Sequence, residues 1–184
     1  ILNLKYMKKI ILFLMVFMVF AFAQSQNLAL NGTATASNNN QPASNAIDGN
    51  AGTRWETAFA DPQWITIDLG TSYTIGQVVL NWEGAFASTY EIQISNDATF
   101  ATFTSIFSTT TGNGGIDDLA VTGTGRYVRM YGTVRGTPYG YSLWEFEIYE
   151  AVDPLTIATL SDLTVNGATV AGFASSIFNY NVVL

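Results

Sequence analysis

The chain has 184 residues, of which 48% are hydrophobic and 14% aromatic, and it contains neither cysteine nor histidine. These absences exclude disulfide bonds, zinc or copper sites built from thiolate and imidazole, and catalysis by a Ser–His or Cys–His pair. All three lysines lie within the first nine residues, and the rest of the chain has four arginines against 14 acidic residues, a formal net charge of −10. Such a surface repels phosphate groups, so nucleic acid and anionic membranes are poor partners.

The N-terminal segment is predicted to be a secretory signal peptide. Met7 is the expected initiator, Lys8 and Lys9 form the charged start, residues 10–20 form the apolar run, and residues 21–23 form the small-residue cleavage site. The apolar run is too short to indicate a transmembrane helix. We therefore expect residues 1–23 to be removed and the protein to be secreted, or held at the cell surface through parts beyond this chain.

Residues 24–152 read as a series of half-buried strands. Apolar residues alternate with polar ones at a period of two, and no long helical period is present after the leader. Turn signals such as Asp48-Gly49 and Gly114-Gly115 separate these runs. The pattern predicts an all-β, antiparallel jelly-roll sandwich. The strongest alternating sets are Ile65/Ile67/Leu69, Val78/Leu80/Trp82, Tyr90/Ile92/Ile94, Val128/Met130 and Trp144/Phe146/Ile148.

A domain boundary is predicted at Asp153-Pro154. Residues 153–184 contain a second, shorter strand pattern, and about thirty residues cannot close a sandwich of their own. We interpret them as a linker followed by the truncated start of a second β domain. The alternative is a C-terminal extension that packs on the first domain.

The stretch between Asn27 and Glu150 contains an ordered set of short motifs. They are Asn27-Leu28-Ala29, Ala46-Ile47-Asp48-Gly49-Asn50, Thr53-Arg54-Trp55, Gln63-Trp64-Ile65, Asp68-Leu69-Gly70, Arg126-Tyr127-Val128-Arg129 and Ser142-Leu143-Trp144-Glu145. In this order and spacing the set resembles the discoidin, or coagulation factor five/eight C-type, domain. Within that group it is most similar to the family 32 carbohydrate-binding modules, which have a galactose-binding-like β-sandwich fold. Residues from Leu160 onward resemble the start of a cadherin-like repeat.

The loop of residues 45–55 is a candidate metal site because it is rich in side-chain oxygens and in glycine. Without histidine or cysteine, a bound metal would be a hard cation such as calcium, which takes roughly six to eight oxygens. The resemblance implies a structural calcium ion. The alternative is that Asp48 and Asn50 only cap a turn. The ligand set implied by the resemblance is Asn45, Asp48, Asn50, Thr53, Trp144 and Glu145.

The resemblance also places a sugar site in loops at one end of the sandwich. Aromatic rings there would stack on pyranose faces, and planar polar side chains would bind hydroxyl groups. The alternatives are that Trp82 belongs to the core, and that Arg135 forms a surface ion pair with Glu83 or with residues 117–118. The candidate carbohydrate-binding residues are Trp82, Glu83, Arg135, Tyr139 and Tyr141.

The resemblance therefore implies a secreted, non-catalytic module that anchors a larger polypeptide, such as a glycoside hydrolase with domains downstream, to a polysaccharide. A β-glucan is a candidate ligand, whereas galactose is disfavoured because galactose-binding relatives often use a histidine. The alternative function is cell adhesion through a protein partner. An enzyme is disfavoured because the one suggestive carboxylate pair, Glu145 and Glu147, lies two residues apart on a strand, and Glu145 is assigned to the metal.

Overall fold

The computed structural model describes residues 26–152 together with residues 164–165 and 168–169. The predicted leader, and all but those four residues of the predicted second domain, lie outside the described residues. The short strands β8 (Thr164–Val165) and β9 (Ala168–Thr169) pair antiparallel. Two 3₁₀ helices span Leu28–Asn31 and Ala43–Ile47. The remaining strands are β1 (Thr33–Ala36), β2 (Trp55–Glu56), β3 (Gln63–Trp82), β4 (Ala87–Ser95), β5 (Thr104–Thr109), β6 (Ile116–Arg135) and β7 (Ser142–Glu150).

The two long strands β3 and β6 each take part in both layers of the sandwich. The first half of β3 lies between β1 and the second half of β6. The second half of β6 also pairs with β4, and β4 pairs with β5. A register shift separates the β3–β6 pairs at Asp68 and Tyr73, and beyond it β3 lies between β7 and the first half of β6. Strand β2 pairs with β7. All pairs are antiparallel, which confirms the predicted all-β sandwich class.

The core follows the predicted alternation except at the start of β7, where Leu143 and Glu145 are buried and Trp144 is only partly buried. Ile65, Ile67, Val78 and Leu80 are fully buried. Of the polar residues next to them, Thr66 is also buried, whereas Asp68, Gln77 and Asn81 are only partly buried. Trp55 is also fully buried, and its indole Nε1 donates to the Asn38 carbonyl at 3.0 Å. Burial of each such apolar side chain contributes about 1.5–3 kcal/mol, so a core of this size can hold the domain together without disulfides.

Helical structure plays almost no part in the described domain. The two 3₁₀ helices have four and five residues. No helix among the described residues has the length and apolar character needed to cross a bilayer.

Candidate functional site

A cleft of about 270 Å³ opens at one end of the sandwich. Three loops form it: the segment after β2, the turn between β3 and β4, and the loop between β6 and β7. The second and third of these are the loops in which the sequence predicted a sugar site, whereas the segment after β2 was not predicted. The lining residues are Arg54, Glu56, Phe59, Glu83, Gly84, Ala85, Tyr139, Gly140 and Ser142.

Backbone hydrogen bonds hold the three loops together. The Glu83 amide donates to the Ser142 carbonyl at 3.0 Å, and the Ser142 amide donates to the Ala85 carbonyl at 2.8 Å. On the other side, the Thr57 amide donates to the Tyr141 carbonyl at 3.0 Å. Gly140 lies so close to this segment that a Cβ at that position would be 2.5 Å from the Thr57 carbonyl oxygen. The walls of the cleft are therefore preformed.

Two exposed aromatic side chains form one wall of the cleft. Phe59 is 57% exposed and Tyr139 is 59% exposed, and their ring centroids lie 5.7 Å apart in an edge-to-face arrangement. An exposed pair of rings at the mouth of a cleft is suited to contact the apolar face of a pyranose ring. Tyr139 was predicted from the sequence, but Phe59 was missed. The available signal was a large aromatic residue in a segment of small and polar residues.

Two carboxylates lie beside the aromatic wall. Glu56 Oε2 accepts a hydrogen bond from Arg54 Nη2 at 2.6 Å, and Glu83 Oε2 accepts one from the Ala85 amide at 3.1 Å. Within residues 26–152, no hydrogen bond reaches the other oxygen of either carboxylate. The Nε of Arg54 is buried and has no partner among these residues. The cleft thus offers carboxylate acceptors to a ligand, whereas the buried Arg54 nitrogen is not exposed to one.

Trp82 belongs to the core and does not face the cleft. It is 3% exposed, its Nε1 donates to Asp117 Oδ2 at 2.8 Å, and its ring packs edge-on against Tyr90. The hydroxyl of Tyr90 donates to the same Asp117 oxygen at 2.6 Å. The prediction that Trp82 stacks on a sugar is therefore wrong, because a buried ring has no free face, and the alternative that it belongs to the core is confirmed.

Tyr141 and Arg135 lie behind the aromatic wall. Tyr141 is fully buried, and its hydroxyl donates to Asp61. Arg135 Nε donates to Asp61 at 3.1 Å, so the alternative that Arg135 forms an ion pair is right, but the partner is Asp61 and not Glu83 or residues 117–118. Burial, reinforced by the hydrogen bond to Asp61, raises the pKa of the Tyr141 hydroxyl above its ordinary value. Neither ring face of Tyr141 is available to a sugar.

The predicted metal loop forms a compact turn. Asp48 accepts hydrogen bonds from the Asn50 amide at 2.9 Å and from Thr53 Oγ1 at 2.7 Å. The Asn50 side-chain oxygen accepts from the Gly52 amide at 3.0 Å. Asn45 Nδ2 donates to the Arg54 carbonyl at 3.0 Å, which joins the two ends of the loop. These contacts match the alternative in which Asp48 and Asn50 cap a turn.

Glu145 is the feature of this region that a capped turn does not explain. Its carboxylate is buried on β7, next to Trp144, and neither oxygen has a hydrogen-bond partner among the described residues. Burial, followed by the nearby charge of Asp48, raises the pKa of Glu145. The Gly49 and Asn50 amides oppose this rise, although neither meets the geometry of a hydrogen bond. An unpaired buried carboxylate is unfavourable unless a cation lies beside it.

The remaining groups of the predicted set would supply neutral oxygens. Within the described part of the chain, no group of three or more acidic side chains is arranged for a metal, so Asp48 and Glu145 would be the only charged ligands. Two carboxylates with carbonyl, amide and hydroxyl oxygens form a donor set suited to calcium. The residues present therefore fit the ion.

Comparison with known proteins identifies the fold and its relatives. The F5/F8 type C profile described as a NedA-like, galactose-binding domain matches residues 45–130. Chitosan-binding module 1 of a chitosanase/glucanase from Paenibacillus sp. IK-5 is 56% identical, with a TM-score of 0.65 over 67% of this chain and 98% of the module. Module 2 of that enzyme, solved with chitotriose, is 49% identical, with a TM-score of 0.65 over 67% of this chain and 99% of the module.

A curated relative is much longer than this chain. The polysaccharide lyase 8 family protein HylA of Enterococcus faecalis is 40% identical over 70 residues, or 38% of this chain. The match covers 5% of the lyase, so the chain corresponds to a small part of that protein.

Proposed function

Because the chain belongs to the F5/F8 type C family of galactose-binding-like domains, we propose that residues 26–152 form a non-catalytic carbohydrate-binding module for an amino-sugar polysaccharide such as chitosan. The observation that carries this proposal is the cleft in which Glu56 and Glu83 lie beside the Phe59–Tyr139 wall. The aromatic wall would hold the sugar ring, and the carboxylates would select its ammonium group.

The charges of the domain support a cationic ligand. Residues 26–152 contain four arginines and 12 acidic residues. Three of the four arginines form ion pairs with carboxylates, which leaves most of the acidic side chains without a cationic partner. A field of this sign attracts a polymer of protonated glucosamine, and a hydrogen bond between an ammonium and a carboxylate is stronger than one between neutral groups.

The relatives support the same ligand class. The two Paenibacillus modules are described as chitosan-binding, and one of them was solved with chitotriose. Their parent enzyme is a chitosanase/glucanase, so an uncharged β-glucan is the second candidate ligand. A β-glucan would need the aromatic wall and hydroxyl contacts but would gain no energy from an ionised Glu83.

The module is proposed to act within a larger, exported polypeptide. The predicted signal peptide supports export, and the match to a small part of a polysaccharide lyase supports a setting within a longer enzyme. We propose that the further domains lie downstream of this module. Binding at a single open cleft is weak, and neighbouring modules on the same chain would raise the overall affinity by avidity. The module would then keep a catalytic domain close to its substrate.

A structural calcium ion is proposed in the loop of residues 45–53. Asp48 and Glu145 would supply carboxylate oxygens, Asn50 and Thr53 neutral side-chain or carbonyl oxygens, and Asn45 and Trp144 carbonyls. The orphaned Glu145 carboxylate supports this proposal. The ion would join the loop to β7 and neutralise the repulsion between the two acids, and it takes no part in chemistry on the sugar.

Calorimetry with three matched oligosaccharides tests the proposed ligand. The trimers of glucosamine, N-acetylglucosamine and β-linked glucose have rings of similar shape, but only the first carries ammonium groups. We expect the protein to bind the glucosamine trimer most tightly, and the preference to weaken as salt screens the charges. The Glu83→Gln variant removes one carboxylate of the cleft, and Glu91→Gln is its matched control. Glu91 lies outside the cleft, where it accepts a hydrogen bond from Gln93 at 3.2 Å.

Two results would contradict the proposal. Equal affinity for the three trimers would remove the role of the carboxylates and favour a β-glucan. Binding of none of them by folded protein would favour the alternative function, adhesion through a protein partner.

A further inference from the structure

Asp61 lies at a junction between two loops of the cleft. It follows Phe59 by two residues, and its carboxylate accepts hydrogen bonds from the Tyr141 hydroxyl and from Arg135 Nε, the latter at 3.1 Å. Its side chain is 31% exposed and that of Arg135 is 25% exposed, so the ion pair is partly shielded from water. Neither residue is among those that line the cleft.

Arg135 continues the connection into the loop that carries Tyr139. Its Nη1 donates to the carbonyl oxygens of Pro138 and Tyr139, both at 3.2 Å. One guanidinium therefore joins the carboxylate next to Phe59 to the backbone of Tyr139. Together, Asp61, Arg135 and Tyr141 form a latch that connects the two halves of the aromatic wall.

We propose that Asp61 is a positioning residue for carbohydrate binding: through Arg135 and Tyr141 it holds Phe59 and Tyr139 at the spacing at which both rings meet one sugar. The inference rests on the proposed function, because it assigns a purpose to a contact behind the same cleft. Asp61 itself touches no ligand. Without the latch, both exposed rings would have to be ordered when the sugar binds, which weakens binding by about tenfold.

The protein contains a matched ion pair away from the cleft. Asp68 accepts hydrogen bonds from Arg126 Nε at 2.7 Å and Nη2 at 2.8 Å, on the face of β3 and β6. Hydrogen bonding to Arg126 holds the pKa of Asp68 below its usual value. This pair has the same chemistry as the latch but connects strands instead of the loops of the aromatic wall. Asp68→Asn is therefore the control for Asp61→Asn.

The first test compares these two variants by calorimetry and thermal unfolding. An asparagine at position 61 keeps the shape and can accept from the Tyr141 hydroxyl, but it has no charge to hold Arg135. We expect Asp61→Asn to raise the Kd for the glucosamine trimer about tenfold. Asp68→Asn should lower Tm at least as much and leave Kd unchanged. Equal Kd values for Asp61→Asn and wild type would overturn the inference.

A spectroscopic readout separates positioning from a general loss of stability. The chain has four arginines, so their Nε–H signals can be resolved by ¹H–¹⁵N NMR. In wild type we expect the Arg135 Nε–H signal to be shifted from the position of a solvent-exposed arginine and to exchange slowly with water. Asp61→Asn should remove both features, and Asp61→Glu should restore them in part. An Arg135 signal unchanged by Asp61→Asn would contradict the latch.

A double-mutant cycle completes the test. If Asp61 acts only through Arg135, Asp61→Asn combined with Arg135→Gln should weaken binding no more than Arg135→Gln alone. Independent effects that multiply would overturn the inference. If wild type binds none of the sugars, the proposed function fails by itself, whereas the NMR signals still show whether the latch orders the two loops.

Discussion

The proposed sugar cleft and the proposed calcium site both contain carboxylates, but these carboxylates lie in opposite settings. Glu83 is half-buried at a cleft mouth and accepts a hydrogen bond from the Ala85 amide. Glu145 is buried, and neither of its carboxylate oxygens accepts a hydrogen bond from the described residues. The nearby negative charge of Asp48 further raises the pKa of Glu145. The first kind of carboxylate is open to solvent and can exchange its water for a ligand. An unpaired buried carboxylate of the second kind is unfavourable without a cation beside it, so the two sites should respond to different perturbations.

The largest expected effect is on stability, from calcium acting at Glu145. A ligand that binds only the folded state at 100 times its Kd stabilises that state by about 2.7 kcal/mol. Removing calcium with a chelator should therefore lower Tm. Glu145→Gln should abolish this calcium dependence and, in chelator, should be at least as stable as wild type because it removes an unpaired buried charge. Differential scanning calorimetry measures both.

The matched control is Glu147→Gln, on the same strand. Glu147 accepts a hydrogen bond from the Tyr149 hydroxyl at 2.5 Å, so its carboxylate already has a donor. The calcium-dependent shift in Tm should persist in this variant. A shift that persists equally in Glu145→Gln would contradict the metal assignment.

The next effect is on sugar affinity, from the aromatic wall. Tyr139→Ala removes an exposed ring that packs against Phe59, and it should weaken binding of the glucosamine trimer by about 1–2 kcal/mol with little change in Tm. Phe103→Ala is the control, because Phe103 is also exposed but lies outside the cleft. Loss of binding in both variants, or in neither, would contradict the position of the site.

A smaller effect is expected from Glu83. An ion pair that is open to solvent contributes about 0.2–1 kcal/mol, so Glu83→Gln should weaken binding of the glucosamine trimer modestly. Binding of the N-acetylated trimer, which lacks the ammonium group, should not change. Calorimetry at low and high salt should show that the higher affinity of wild type over Glu83→Gln for the glucosamine trimer disappears as the Debye length shortens. An advantage that survives high salt would indicate a neutral contact instead.

The features that follow from local pattern could be predicted from the sequence. The alternation around Ile65 and Leu80 indicates strands with one buried face, and the structure shows them so. Trp82 continues the same alternation, and that pattern cannot tell a core ring from one at a loop end. Its burial was settled by partners on other strands, Tyr90 and Asp117.

Features that depend on contacts between distant segments could not be predicted. Phe59 joins the cleft because a loop after β2 meets a loop before β7, and Asp61 meets Tyr141 across 80 residues of sequence. The turn signal at Gly114-Gly115 gives no sign that Asp117 belongs to a strand, yet β6 already begins at Ile116. The length of β3 and β6 was also hidden, because the alternation breaks where each strand passes from one layer to the other.

The most direct test is a crystal structure of the protein with the glucosamine trimer and calcium. We predict a sugar ring against Phe59 and Tyr139, with its amine about 2.7–2.9 Å from a carboxylate oxygen of Glu56 or Glu83. We also predict an ion beside Glu145. A trimer bound elsewhere on the domain, or bound in the cleft with its amine pointing to solvent, would contradict the claim that these carboxylates select an amino sugar.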